Sequence, residues 1–291
     1  MPTSPIASLT AAAALEASQA AERARVRIEE PRDEATARLV FEAGNEVWGP
    51  RGTLAPNELR ALVHAGSPMH LATDLSRPGH PVVGFALAFL GWSPFLHVHS
   101  HQVGVVEGQR RRGIGHALKL AQRTTCLAQG LTDMRWTFDP LVHRNVYFNV
   151  EVLGARAASF HLDFYGKMTD SINSGDVSDR LEAVWTLTDP LPARADPPAR
   201  AAPFDQTESD APVPLLLIDR AGWPRPTGAD PRPGTLLPVP RAYESLRRDE
   251  PDRARAWRTA CRDLLLAAYG RGLRVGRVNE TGYLLVGEDE A

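Results

Sequence analysis

Residues 81–91, PVVGFALAFLG, carry no charged and no hydrogen-bonding side chain. The run is too short to cross a bilayer, which takes roughly 20 apolar residues. It also lacks the polar alternation of a strand with one wet face, so it reads as a central strand buried on both sides. A chain organised around such a strand needs a sheet with other elements covering it. HVHSHQVGVV (97–106) reads as the next strand.

The flanking segments supply that cover. RVRIEE (25–30) alternates like a strand, and a helix is expected after Pro31, with Ala35, Leu39, Val40 and Ala43 at helical spacing. Residues 56–65 suit a second helix, with proline at a tolerated first-turn position. MHLATDL (69–75) and MRWTF (134–138) read as strands. From Gly113 onward, Ile114, Ala117, Leu118 and Ala121 recur at i, i+3, i+4 and i+7, a helix with a core-facing stripe. A helix is expected over 140–153, closed by Gly154, with strands near 155–164 and 181–187. The fold class is therefore α/β (α+β), with a mixed, largely antiparallel central sheet flanked by helices.

Beyond 189 the composition shifts as prolines crowd residues 190–240. The expected division is a flexible tail at 1–24, either frayed helix or disordered, a main domain at 25–189, a Pro-rich linker at 190–212 and a small α/β extension at 213–291 that packs on the main domain. In the extension, 253–270 suits a helix, followed by a hairpin from GLRVGRV and GYLLVG.

Charge excludes some functions. Lys+Arg 33 against Asp+Glu 35 gives a net charge of -2, which offers no global attraction for nucleic acid or anionic membrane. No stretch is long and apolar enough for a membrane span, and the Ala-rich N-terminus lacks the basic start of a secretory signal. Cys126 and Cys261 lie in helix-like patterns and read as buried thiols of a cytoplasmic protein.

The segment carrying the chemistry is VVEGQRRRGIGHAL (105–118), where a strand gives way to arginines, then glycines, then a helix. Glycines let a ligand approach the backbone closely. The unpaired amides of a helix start attract phosphate oxygens, and arginines add charge-assisted bonds. Alone, a short glycine motif is weak evidence, because such glycines often serve only a turn.

In its longer context the segment resembles the acyl-CoA-binding motif of the GNAT acetyltransferase superfamily, Arg/Gln-x-x-Gly-x-Gly/Ala after a strand, and the element order is the one expected of that fold. The resemblance covers roughly 25–188. WTFDPL (136–141), RNVYFN (144–149), FYGKM (164–168) and SDRL (178–181) are similar to a bacterial GNAT subfamily that carries a C-terminal extension with a Trp-Arg helix, like Trp257-Arg258 here. It implies acetyl-CoA or a related acyl-CoA as co-substrate and a small-molecule or peptide amine as acceptor, and it leaves a homodimer open.

Residue by residue, the resemblance gives Arg110 the Arg/Gln position. The amides of Arg111, Arg112, Gly113, Ile114, Gly115 and His116 would cradle the pyrophosphate. Backbone groups of Val103 and Val105 would pair with the pantetheine arm. Asn145, unless it is an ordinary helix cap, and Phe148 would line the other side of the splayed strands. Many members place a tyrosine acid four residues before the glycine that ends the last motif helix; here Gly154 puts Val150 there, and Tyr147 is one turn away.

Acyl transfer to an amine needs a proton acceptor, for which His99, His101, Glu107 and Asp139 are the candidates. Asp139 could equally cap the helix after it. His97, His99 and His101 alternate, so they share one strand face and are candidates for zinc, for acceptor contact or for plain packing. No carboxylate or cysteine accompanies them at metal spacing and the superfamily needs no metal, so none is expected. A CoA-thioester sensor without activity, and a nucleotide- or phosphate-ligand protein sharing only the glycine turn, remain alternatives.

Overall fold

The computed structural model describes residues 5–50, 52–168, 170, 175–192 and 212–290. They fall into two compact units, one built from the chain up to Trp136 with 186–189, the other from 137–168, 175–185 and the C-terminal residues.

In the first unit the elements are α1 (Pro5–Ala24), β1 (Val26–Glu29), α2 (Glu34–Trp48), α3 (Pro56–His64), β2 (Met69–Asp74), β3 (Val82–Gly91), β4 (His97–Val105), α4 (Ile114–Ala128) and β5 (Asp133–Phe138), whose last two residues belong to the second unit. The strands lie in the order β1-β2-β3-β4-β5. The first four pair antiparallel and β4 pairs parallel with β5. The sheet is thus mixed and largely antiparallel.

Side chains of β3 alternate between two cores, as its apolar sequence requires. Phe85 and Leu87 pack with Val40 of α2 and Leu59 of α3. Val83 and Ala86 pack with Ile114 and Leu118 of α4. Burying a residue such as Ile114 or Leu118 stabilises the fold by about 1.5–3 kcal/mol, which anchors the first turn of α4 against the sheet.

The segment expected as a flexible tail is helical from Pro5. Alanine has the highest intrinsic helix propensity, and Ala13, Ala20 and Ala24 are buried at near-helical spacing. Glu16 fixes the helix to α4 through an ion pair with the buried Arg123 at 2.6 Å. Residues 193–211, most of the expected Pro-rich linker, lie outside the described residues.

The second unit holds α5 (His143–Tyr147), a π-helical turn (Phe148–Val152), β6 (Arg156–His161) and β7 (Arg180–Thr186), whose last residue belongs to the first unit. Beyond the linker come β8 (Val213–Pro214), β9 (Leu216–Ile218), β10 (Pro224–Pro226), β11 (Thr235–Pro238), α6 (Tyr243–Asp249), α7 (Pro251–Gly270), β12 (Leu273–Val278) and β13 (Gly282–Gly287). β6 and β7 form an antiparallel pair, and β12, β13, β11 and β8 form a four-stranded sheet. The expected helix over 140–153 is shorter, because the Asp139 carboxylate accepts the Leu141 amide at 2.8 Å and holds the chain in a turn there. Among the described residues no helix is long and apolar enough to cross a membrane.

The C-terminal segment is bonded into this unit at several points. The Tyr283 hydroxyl donates to the Pro140 carbonyl at 2.7 Å, the Tyr269 hydroxyl to that of Ala157 at 2.8 Å, and the Val278 amide to Glu151 at 2.6 Å. Both cysteines are buried and free, and burial pushes each thiol up to about 12.

Candidate active site

The strand leading to the glycine turn is not regular. Opposite β3 its register slips, with Leu87 facing Gln102 and Ala88 facing Ser100, so His101 is the extra residue of a β-bulge. His99 and His101 sit around the Phe89 ring, with centroids at 5.1 and 5.6 Å. Ser100 points the other way and donates to Gln122 on α4 at 3.0 Å. Gln102 is held by the α2–α3 loop, donating to the Gly52 carbonyl and accepting from Thr53. His97 stands apart from the other two, its Nδ1 lying 2.8 Å from the Phe95 carbonyl. Burial lowers the pKa of His101 below the ordinary imidazole value, so its ring is neutral and can accept a proton at physiological pH. Among the described residues no group of three His, Cys, Asp or Glu is placed to hold a metal ion.

On its other edge β4 meets β5 at only two positions, Val98 with Met134 and His99 with Arg135. From Ser100 and Trp136 onward the strands part into a fork. The β4 backbone from Ser100 to Val105, including the two expected pantetheine-binding valines, therefore has no β5 ladder partner. The Val105 carbonyl accepts a bond from Arg110 Nε at 3.3 Å.

After β4 the chain turns through Glu107, which is exposed. Arg111 and Gly113 adopt left-handed conformations, with φ of 67° and 88°. Gly113 is the N-cap of α4 and supplies no side-chain cap. The first intrahelical bond runs from the Ala117 amide to the Gly113 carbonyl, so the amides of Ile114 and Gly115 have no partner within the helix. By contrast, Asp33 and Thr36 close a capping box at the start of α2. A Cβ built on Gly115 would come no nearer than 3.9 Å to Val105. Internal packing therefore does not demand glycine at this position.

The three arginines separate. Arg110 and Arg111 are exposed. Arg112 turns inward, donating to both oxygens of the buried Asp74 at 2.6 and 3.2 Å, to the Ala24 carbonyl and to Gln109. Its guanidinium holds the Asp74 carboxyl far below the usual carboxylate range. Only the backbone of Arg112 is left for a ligand, which removes its side chain from the set expected at a phosphate.

The remaining candidates lie in the second unit. Asp139 is buried, and both its oxygens accept from Arg258 of α7, at 2.9 and 2.7 Å. Asp176 shares the same guanidinium at 2.7 Å and accepts from the Tyr243 hydroxyl at 2.7 Å. Burial alone would raise the pKa of Asp176, but its bonds to Arg258 more than offset this and the net shift is downward. Arg262 forks onto Asp179 at 2.8 and 2.6 Å. Both oxygens of Asp139 are thus taken up by a guanidinium that it shares with Asp176. Asn145 is the third residue of α5, not its cap, which is Val142. Phe148 and Val150 belong to the π turn and Tyr147 ends α5. Tyr165, on the turn after β6, has its hydroxyl 2.9 Å from that of Thr137. The Arg258 cluster was not read from the sequence as a network; the Trp257-Arg258 pair was its only trace.

The element order, the parting of β4 and β5 and the glycine turn into α4 match the pattern that the sequence resemblance implied, and the bulge at His101 is an addition to it. The fold is a mixed, largely antiparallel sheet flanked by helices. Solved structures similar to part of this chain include the ribosomal-protein-S18-alanine N-acetyltransferase from Escherichia coli, with a TM-score of 0.45 and 11% identity over 57% of this chain and 96% of that one. Another is the diaminobutyrate acetyltransferase of Paenibacillus lautus, solved with L-2,4-diaminobutyric acid and coenzyme A, with a TM-score of 0.41 and 16% identity over 57% of this chain and 97% of that one. No protein-family model matches the sequence, and no curated protein matches it.

Proposed function

We propose that this protein transfers an acetyl or related acyl group from acyl-CoA to an amine acceptor. The observation that carries the reading is the uncapped start of α4, reached through three left-handed residues, Gly108, Arg111 and Gly113, directly beyond the open edge of β4. Diphosphate would lie on the amides from Arg111 to His116, where the helix dipole favours negative charge. The pantetheine arm would follow the β4 backbone of Val105 and Val103, which has no β5 ladder partner, and this would bring the thioester to the fork beside His101. Arg110 and Arg111 are the arginine side chains free to meet the remaining phosphate charge.

In the step itself the acceptor nitrogen attacks the thioester carbonyl carbon. His101, or a water that it holds, takes the proton from that nitrogen. The carbonyl oxygen becomes an oxyanion that a β4 amide can stabilise. Collapse breaks the carbon–sulfur bond, forms the amide and leaves CoA thiolate, which then takes up a proton. His99 supports His101 across the Phe89 ring. Residues 25–189 would form the acyltransferase module, with 213–291 built onto its second half. Two buried free thiols fit a cytoplasmic setting.

A specific residue favours a second reading. Val150 occupies the position where a tyrosine acid is common in the superfamily, which suits a protein that binds acyl-CoA without turning it over. Mixing the protein with acetyl-CoA and a panel of primary amines separates the two. Release of free CoA thiol above the no-protein rate supports transfer. Tight binding of acetyl-CoA without release supports the sensor, and displacement of acetyl-CoA by ATP as effectively as by CoA would contradict both.

A further inference from the structure

Lys119 is an exception to the apolar face of α4. It is buried, and its Nζ donates to Ser100 Oγ at 2.9 Å, lies 3.6 Å from Met134 Sδ and sits 3.4 Å from the centre of the Trp136 ring. Among the described residues no carboxylate pairs with it. These contacts define a place. Met134 belongs to one of the last two β4–β5 pairs, and Ser100 and Trp136 are the first residues after the strands part. The lysine end therefore closes the base of the fork from the α4 side.

We propose that Lys119 is the floor of the acyl pocket and restricts the protein to short acyl groups. This rests on the acyl-CoA reading above. If diphosphate lies beyond Val105 and pantetheine runs back along β4, each residue traversed moves the ligand about 3.3 Å along the strand. That direction leads to Ser100 and the closed end of the fork. The acyl group, being the last part of the ligand, is aimed at the volume that the Lys119 chain fills. Ser100 fixes the plug in one arrangement, since it accepts from Lys119 while donating to Gln122. Burial drives the lysine pKa well below its usual value, which disfavours the charged form.

The test compares affinities of the wild type, Lys119→Ala and Lys119→Met for acetyl-, butanoyl-, hexanoyl- and octanoyl-CoA by calorimetry. It works whether or not the bound thioester is turned over. Wild type should lose roughly 10-fold or more once the chain outgrows the floor, the usual penalty for an extra methylene that does not fit. Lys119→Ala should bring hexanoyl-CoA to within about threefold of acetyl-CoA, while Lys119→Met, which keeps the length, should retain the wild-type profile. Identical profiles for wild type and Lys119→Ala, with acetyl-CoA binding intact, would overturn the inference. So would a Met variant that accepts long chains as the Ala variant does. Failure of the wild type to bind any of the thioesters would instead sink the acyl-CoA reading, and this one with it. If circular dichroism shows Lys119→Ala unfolded, Lys119→Val is read in its place against the same outcomes.

Discussion

The arginine-bearing turn between β4 and α4 and the arginine cluster of α7 use the same residue type to opposite ends. Around Arg258 every charge is spent: its guanidinium bonds both Asp139 and Asp176, and Asp176 also holds Tyr243. In the turn, Arg112 alone is spent in that way, on Asp74. Arg110 and Arg111 stay exposed and the first α4 amides stay uncapped. A charged residue is therefore informative through its partners. Where all are internal the group serves the fold, and where donors are left over the region is built for something external.

The contrast can be broken at either end. The largest expected effect is at the proton acceptor of the open region, where His101→Gln should lower turnover roughly 10²–10⁴-fold while acetyl-CoA affinity stays near wild type. Wild-type turnover should rise with pH through an apparent pKa below the usual 6.5 of histidine, because burial disfavours the charged ring. A pH–rate profile with no inflection on that side would move the base to Glu107 or to bound water.

At the closed end, Arg258→Ala takes both guanidinium bonds from the buried Asp139 and leaves Asp176 with Arg247 at 3.5 Å, and it should cost about 3–5 kcal/mol of stability, read as a fall in denaturation midpoint. If the midpoint stays put, the cluster is not the structural element described.

Within the turn itself, the contrast sharpens to neighbouring residues. Arg112→Ala should cost roughly 1.5–3 kcal/mol through lost bonds to a charged group. Arg110→Ala should leave stability within about 0.5 kcal/mol and weaken CoA binding instead. Acid titration adds a check on the first of these. Asp74 has a folded pKa depressed below its unfolded value near 3.9, so its contribution is fully present above that value and is lost as pH falls through the range beneath it. Arg112→Ala should flatten that part of the stability–pH curve, and equal slopes in variant and wild type would contradict the assignment.

Much of the first unit was legible because its signals are local. The apolar run at 81–91 could only be a doubly covered strand, and the glycines after Val105 marked where β4 gives way to α4. What escaped depends on partners distant in the chain or on geometry that leaves no pattern. The alternation His-x-His-x-His runs through His101 without a break, yet a bulge interrupts the ladder there. Nothing near Arg112 tells it from Arg110, since Asp74 lies 38 residues away, and Asp139 finds Arg258 across 119 residues. The α1 helix was legible only as a frayed helix or tail, because an alanine face that packs by being small resembles an unstructured Ala-rich segment. The π turn after α5 likewise has no periodic signature.

Gly115 offers the most direct test of the central claim, that the uncapped start of α4 is an acyl-CoA diphosphate site. A Cβ there meets only ordinary contact, so Gly115→Asp can be made with little internal clash, while its carboxylate falls where the diphosphate must lie. Titration calorimetry of acetyl-CoA into wild type and Gly115→Asp, with melting curves to confirm the fold, is the measurement. The account predicts binding by the wild type and a loss of roughly 100-fold or more in the variant, about 2.7 kcal/mol, with the melting temperature little changed. Equal affinities in two folded proteins would contradict it.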